Sequence, residues 1–173
     1  DRCVVVRNRH ASCRRCVKAC PVDAITVRNN ELTLDNSACV SCGACTVVCP
    51  VEALVPLDPA DAELATGAAR SADALGGCAV IACARIASKD QGDPSKYTIV
   101  SCMARVDEGV LVELAAAGVE RIVLVDGTCR TCKYRDTEPG VDEAVEQAHR
   151  LIAAMGGTAK VERASEFPAE ALL

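Results

Sequence analysis

Residues 39–54 of the chain read CVSCGACTVVCPVEAL, and residues 10–25 read HASCRRCVKACPVDAI. The later stretch follows the earlier one at a constant offset of 29 residues, and three cysteines and a proline recur at matching places. The recurring residues are Cys13, Cys16, Cys20 and Pro21 in the earlier stretch and Cys42, Cys45, Cys49 and Pro50 in the later one. The chain therefore contains a duplicated half-unit, which organises its first 57 residues.

The cysteine spacing in residues 39–50 is C-x2-C-x2-C-x3-C-P, the pattern of bacterial iron–sulfur proteins. Three thiolates at this spacing wrap one cluster, and the fourth serves the other cluster. The proline ends the local helix. Zinc also binds paired C-x2-C units, but the duplicated rhythm followed by proline is not typical of zinc ribbons. The pattern therefore predicts two [4Fe–4S] clusters.

In these features residues 1–57 resemble the two-cluster bacterial-type [4Fe–4S] ferredoxins. The resemblance implies a small α+β ferredoxin-like fold with the clusters as its core, because so short a segment buries little apolar surface of its own. It further implies that one cluster is held by Cys20, Cys39, Cys42 and Cys45. The other cluster would be held by Cys13, Cys16, Cys49 and one further ligand.

The further ligand of this first cluster stays open at the level of sequence. His10 stands where the leading cysteine of the earlier repeat is expected, and Cys3 lies seven residues before it. Thiolate is the usual ligand of iron–sulfur clusters, so that ligand softness favours Cys3 over His10. A three-iron cluster without a fourth ligand is the remaining interpretation.

Short strands are predicted at Val4–Val6, Ile25–Val27 and Leu32–Leu34, with Asn29–Asn30 as the turn of a hairpin. Residues 58–76 are alanine-rich and predict a helix or a tether that links two domains.

Residues 77–173 have a different texture, in which short apolar runs alternate with helical stretches. The predicted strands are Ala79–Ala82, Thr98–Ser101, Arg121–Asp126 and Thr158–Arg163, and the predicted helices are Val106–Ala117 and Val141–Met155. This alternation predicts a small α/β domain with a mostly parallel sheet.

Four of the remaining cysteines follow the predicted strands: Cys83, Cys102, Cys129 and Cys132. Because ligands collect beyond the carboxyl ends of parallel strands, these thiols should meet at one edge of the sheet. Four thiolates suit one iron–sulfur cluster or one zinc ion. Cys78 precedes the first strand and is predicted to be a buried free thiol.

Residues 77–150 resemble the delta subunit of methyl-viologen-reducing hydrogenase, on the segment TIVSCMARVDEGVLVELAAAGVERIVLVDGTCRTCKY at residues 98–134. That family carries a [2Fe–2S] cluster and passes electrons between a hydrogenase or formate dehydrogenase and a heterodisulfide-reductase-type flavoprotein. The resemblance implies a third cluster, with [2Fe–2S] favoured, on Cys83, Cys102, Cys129 and Cys132. The chain departs from the family at Ile86, where a further cysteine is expected, and in the closer spacing of its last cysteine pair.

Basic residues accompany the cysteines in two places. Six lie in the first twenty residues: Arg2, Arg7, Arg9, Arg14, Arg15 and Lys18. Three surround the last cysteine pair and are expected to favour its thiolate form: Arg130, Lys133 and Arg135. Arg105, beside Cys102, is a candidate for tuning a cluster.

Composition narrows the class of function. The net charge of −5 argues against a generic nucleic-acid binder, and there is no glycine-rich nucleotide fingerprint and no Ser-His-Asp candidate. Thirteen cysteines, an odd number in tight runs, indicate metal binding in a reducing compartment, so that we expect a cytoplasmic location. No apolar run approaches the roughly 18 residues of a membrane span.

The sequence therefore predicts a non-catalytic electron-transfer subunit, which works in a complex with redox partners of the hydrogenase, formate dehydrogenase or flavoprotein type. Two alternatives stay open. One is a ferredoxin joined to a zinc-binding or cluster-free docking or regulatory domain. The other is a ferredoxin-driven thiol–disulfide oxidoreductase that uses Cys129 and Cys132.

Overall fold

The structure is a computed structural model that describes residues 2–172. Its first element is a single helical turn, α1 (Val4–Arg7), so the strand predicted at Val4–Val6 is wrong. Three consecutive valines favour a strand by propensity, but tertiary contacts override that preference here. Val5 is buried, and the side-chain amide of Asn30 donates to the Val5 carbonyl at 2.8 Å, which ties the turn to the hairpin that follows.

The predicted hairpin is present, formed by β1 (Ile25–Arg28) and β2 (Glu31–Leu34). The strands pair antiparallel, with Arg28 opposite Glu31, so that Asn29 and Asn30 form a two-residue turn. Both asparagines have positive φ, 51° and 61°. This is the conformation that a tight hairpin requires and that asparagine tolerates.

Two short helices occupy matching places in the repeats, namely α2 (Arg15–Ala19) and α3 (Ala44–Val47). They pack against each other. The duplication seen in the sequence is therefore also a duplication of local structure.

The remainder of the chain forms a four-stranded sheet in which every neighbouring pair is parallel. Its strands are β3 (Cys78–Cys83), β4 (Thr98–Val100), β5 (Arg121–Val125) and β6 (Lys160–Ala164). The order across the sheet is β4-β3-β5-β6. All six residues of β3 are buried, as expected for a central strand covered on both faces.

The helices of this region are α4 (Asp61–Ala74), α5 (Ala84–Ala87), α6 (Glu108–Ala116) and α7 (Glu138–Ala154). The start of α6 is capped by Asp107, whose carboxylate accepts from the Val110 amide at 2.9 Å. Within residues 2–172, no helix has the length and apolar character that crossing a membrane requires.

Helix α4 is a layer of the α/β region and not a free tether. Leu64 and Ala68 are fully buried against the sheet. The hydroxyl of Ser71 accepts from the Val80 amide at 2.8 Å and donates to the Lys96 carbonyl at 2.6 Å. One buried polar group of the helix therefore joins β3 to the chain that leads into β4.

Candidate metal centres

The first cavity in residues 2–57 is lined by four thiols: Cys3, Cys13, Cys16 and Cys49. Apolar side chains complete its wall, among them Val5, Val27, Leu32 and Leu54. His10 lies outside this wall. Its side chain is exposed, and its Nε2 atom accepts from the guanidinium of Arg9 at 3.3 Å. Of the two candidates for the further ligand, Cys3 therefore lines the cavity.

The second cavity is the larger, about 290 Å³ against about 30 Å³. Its four thiols are Cys20, Cys39, Cys42 and Cys45. Leu54 lines this cavity as well as the first, so that one apolar side chain stands on the wall of both.

The two repeats exchange one cysteine each. Cys20 belongs to the earlier repeat but lines the second cavity, and Cys49 belongs to the later repeat but lines the first. This crossing is the one implied by the resemblance to two-cluster ferredoxins. It follows from the position of α2 and α3, each of which ends immediately or shortly before its exported cysteine.

The loop after each exported cysteine has the same shape. Asp23 and Glu52 have positive φ, 52° and 49°, and each is followed by an alanine whose amide points back to the sulfur. The Ala24 amide donates to Cys20 Sγ at 3.2 Å, and the Ala53 amide donates to Cys49 Sγ at 3.1 Å. Amide donors stabilise sulfur in its anionic form, which is the form that binds metal.

The pKa values of these thiols depend on their burial and on the thiols and amides around them. Burial raises the pKa of Cys45 to about 11, and the neighbouring thiols of Cys42 and Cys39 add to the rise. At Cys49 burial also raises the pKa, but backbone N–H donors, led by that of Val51, outweigh it and bring the pKa below its ordinary value. Thiols packed this closely favour a cationic group between them, because metal binding removes the proton from each.

The donor set and the apolar walls of both cavities fit iron–sulfur clusters, which thiolates hold. Each cavity is lined by four thiols that include cysteines of both repeats. Among the described residues, no three His, Cys, Asp or Glu side chains converge tightly enough to hold a single metal ion.

The α/β region carries its thiols at the carboxyl edge of the sheet. Cys83 ends β3, and its Sγ lies 3.8 Å from the Asp126 carbonyl oxygen. Cys102 follows β4, and its Sγ lies 3.7 Å from the hydroxyl oxygen of Thr137. Electrostatic coupling links Cys102 to Cys83 and to Cys129. The sulfur of Cys132 accepts from the Tyr134 amide at 3.4 Å.

At Cys129 the thiolate form is disfavoured, contrary to the expectation from the basic residues of the sequence, although Arg163 acts in its favour. Burial raises the pKa of Cys129 to about 12, and the carboxylate of Asp126 contributes to the rise. Lys133 lies over the ring of Tyr134, 5.6 Å from its centroid. The pair brackets the 3-10 turn Cys129–Thr131 and does not open an α-helix.

The backbone N–H of Ile86 interacts with the thiol of Cys83, whereas Cys78 lies at the other end of β3. Ile86, which stands where the delta-subunit family has a further cysteine, is buried, and its Cδ1 packs so closely on Gly127 that a Cβ there would be 2.4 Å away. Cys78, the first residue of β3, is buried at the opposite edge of the sheet, as predicted.

Arg105 lines the second cavity, a position that its place in the sequence beside Cys102 does not reveal. Its guanidinium is buried and pairs with the carboxylate of Asp61 at 2.6 Å. Arg105 also packs closely on Gly43, the residue after Cys42, so the second cavity and the turn that follows Cys102 are neighbours. Sequence reasoning missed these contacts because the residues are far apart in the chain. The departure of Gly43 from its repeat partner Arg14 is the one local signal that could have suggested them.

Comparison with known proteins supports the first of these two regions. A family model described as a 4Fe-4S dicluster domain matches residues 11–53. This stretch contains seven of the eight cysteines that line the two cavities. The segment is thus of the ferredoxin type, which suggests an iron–sulfur electron-transfer role. No curated protein and no solved structure matches the chain.

Proposed function

We propose that this protein is an electron-transfer subunit of a multi-subunit redox complex, in which single electrons pass through three iron–sulfur clusters. Two are [4Fe–4S] clusters in the two thiol-lined cavities. The third, of the [2Fe–2S] type, is held by Cys83, Cys102, Cys129 and Cys132. The observation that carries the proposal is the pair of cavities, each lined by four thiols, seven of which belong to the duplicated motif.

The order of the clusters is supported by two contacts. Leu54 lines both cavities, so the first and second clusters are nearest neighbours. Cys42 on the second cavity interacts with Cys102 at the edge of the sheet, which joins the second cluster to the third. Electrons therefore pass in the sequence first, second, third, or in reverse.

The partners follow from the resemblance of residues 77–150 and from the surface near the first cavity. Basic side chains of residues 2–18 are exposed there, and among residues 2–172 an ion pair joins one of them, Arg2, to Glu52 at 2.9 Å. A basic surface attracts an acidic partner and orients it on encounter. We assign this basic face to a redox partner of the hydrogenase or formate dehydrogenase type. We assign the sheet edge to a second partner, of the heterodisulfide-reductase-like flavoprotein type. The catalytic centres lie on those partners, and the complex is cytoplasmic.

A second candidate is a ferredoxin joined to a docking or regulatory domain whose thiols bind zinc or nothing. Burial and the carboxylate of Asp126 favour the form in which these thiols bind nothing, because both raise the pKa of Cys129 and so oppose the thiolate that holds a metal. The thiol–disulfide oxidoreductase is less favoured, since the pKa of Cys129 near 12 keeps the thiol protonated at neutral pH.

The test is the metal content of the full chain, purified anaerobically, together with spectra of its reduced state. We expect about ten irons per chain, from two four-iron clusters and one two-iron cluster. Cys129→Ser should remove about two irons and leave both four-iron signals. About eight irons with one zinc, unchanged in iron by Cys129→Ser, would establish the docking-domain alternative instead.

The crossed ligands give a second expected result. Cys20→Ser should perturb the spectrum of the second cluster and Cys49→Ser that of the first, because each sulfur lines the cavity of the other repeat. Cys78→Ala serves as the matched control, since this buried thiol lies outside both cavities and should leave the iron content unchanged. Loss of the same signal in both serine variants would contradict the crossing.

A further inference from the structure

Arg105 presents a buried positive charge to the second cavity. It ends the 3-10 turn Met103–Arg105, which follows β4, and only 4% of its side chain is exposed. A charge is rarely buried in a protein without a partner, because taking it out of water costs free energy. We therefore expect its surroundings to provide hydrogen-bond acceptors or negative charge for the guanidinium.

The visible partners satisfy only part of the guanidinium. The Nη2 atom donates to the Asp61 carboxylate at 2.6 Å and to the Pro59 carbonyl at 3.2 Å. The Nε atom is buried and has no hydrogen-bond partner among the described residues. A buried N–H group without an acceptor is unusual and calls for one. The acceptors on the cavity wall that it shares include the sulfur atoms of Cys20, Cys39, Cys42 and Cys45, beside the side-chain oxygens of Asn36, Ser41, Thr46 and Asp58.

The later repeat is shaped to receive this side chain. Gly43, between Cys42 and Cys45, has φ +77°, and a Cβ on it would lie 2.8 Å from Arg105 Cδ and 3.1 Å from Arg105 Cα. The corresponding residue of the earlier repeat is Arg14, with φ −138° and an exposed side chain. Glycine stands only in the copy that Arg105 contacts, so the ligand loop and the arginine are fitted to each other.

We propose that Arg105 is a positioning residue for the second cluster, whose Nε–H group donates to sulfur on the cavity wall and whose charge raises the reduction potential of that cluster above the value it would otherwise have. The inference rests on the proposed function, because it requires a cluster in the second cavity. Reduction adds one electron and no proton, and a nearby cation stabilises the more negative form. Asp61 offsets this charge only in part, since its carboxylate is 62% exposed and is screened by solvent.

The test is a redox titration of the full chain, followed by electron paramagnetic resonance, with the second cluster identified by the signal that Cys20→Ser perturbs. In Arg105→Met we expect the equilibrium constant for reduction of the second cluster to fall about tenfold, a shift of about 59 mV for one electron. The first cluster should not shift. Arg105→Lys keeps the charge and should recover part of the difference.

The matched control is Arg121→Met. Arg121 is also an arginine paired with carboxylates, those of Glu162 and Glu170, but it lies at the opposite edge of the sheet. Its loss should shift neither potential. A further readout is the coupling of exchangeable protons to the reduced second cluster, compared in H₂O and D₂O. Arg105→Met should remove one such coupling, which a merely structural role would leave in place.

An unchanged potential for the second cluster in Arg105→Met, with full iron content, would overturn the inference and leave the proposed function intact. Should that variant fail to hold the cluster, Asp61→Asn provides the second measurement, because this exposed carboxylate can be neutralised without loss of core packing. We then expect the potential of the second cluster to rise, and no rise would overturn the inference. A wild-type chain without two four-iron clusters would instead refute the proposed function itself.

Discussion

At the scale of single residues, the packing of α4 on the sheet depends on Gly67. This glycine is buried in the middle of the helix, and a Cβ on it would lie 2.5 Å from the hydroxyl oxygen of Thr98 in β4. Glycine is usually a poor choice for the interior of a helix, because it loses more backbone entropy than alanine. Here the close approach of a strand requires it.

We expect Gly67→Ala to lower the free energy of unfolding by about 1–3 kcal/mol, because overpacking against Thr98 outweighs the gain of up to about 1 kcal/mol in helix propensity. Chemical denaturation of the anaerobically purified chain measures the change. Gly140→Ala in α7 is the matched control, since nothing lies within 4 Å of its Cβ position, and it should be neutral or stabilising. Equal losses in the two variants would contradict the packing argument.

Single residues also mark the limit of what the sequence predicts about the sites. Seven of the eight thiols of the two cavities and their crossing can be predicted, because the duplicated spacing is local in the chain. Cys3 lies before the repeat, and only the fold places it on the wall of the first cavity. The contact of Arg105 with Gly43 cannot, because it joins residues 62 positions apart and depends on how the sheet is packed. The raised pKa of Cys129 escapes prediction for a different reason. Asp126 is close to it in the chain, but burial, the largest cause of the rise, depends on how the loop is folded.

At the scale of elements, packing overrides strand propensity in α1, whereas packing and helix propensity agree in α4. Among the described residues no strand pairs with the valines of residues 4–6, and these residues form a helical turn. The side chain of Asn30 in the hairpin donates to the Val5 carbonyl and so stabilises that turn. In α4, by contrast, the alanine-rich sequence predicts a helix, but alanines on every face leave open which surface it covers. The sheet decides that question.

We expect Leu64→Ala in α4 to lower the free energy of unfolding by about 2–5 kcal/mol, the usual range for a large side chain removed from a core. Leu64 has no exposed surface, and its loss leaves a cavity between the helix and the sheet. Leu151→Ala in α7 is the control, because this leucine is 44% exposed and should cost much less. If denaturation gave the two variants similar losses, α4 would be a tether after all.

At the scale of the whole molecule, buried apolar surface is divided unevenly. Residues 2–57 bury only five apolar side chains: Val5, Ala24, Ile25, Cys42 and Ala44. The sheet and its helices contribute almost all of the remaining core. A segment with so little core depends on its clusters, because metal binding then supplies folding free energy.

Removal of the clusters should therefore unfold one part of the chain before the other. After chelation of iron under anaerobic conditions, we expect the amides of β1 and β2 to lose protection from hydrogen exchange, while those of β3 and β5 keep most of theirs. Mass spectrometry of the exchanging chain measures both. Protection retained in the hairpin after all iron has left would show that this segment folds on its own apolar contacts.

The fold of the α/β region was largely predictable, whereas its relation to the ferredoxin-type segment was not. The alternation of apolar runs with helical stretches predicts four strands, two helices and a parallel sheet, because this pattern depends only on residues close together in the chain. The packing of Cys42 and Ala44 into the core of the sheet region depends instead on long-range contacts, which the hydrophobic pattern of the sequence does not predict.

The pairing of Gly43–Ala44 with Arg105 also means that the two halves of the duplication are no longer interchangeable. A copy of the earlier motif placed in the later repeat would set Arg14 and Arg15 at positions 43 and 44, against a guanidinium that is already buried. The reverse exchange would strip charge from an exposed loop. Although the two segments align residue by residue, the later one packs against the α/β region and the earlier one faces solvent at the corresponding position. The two repeats are therefore structurally distinct.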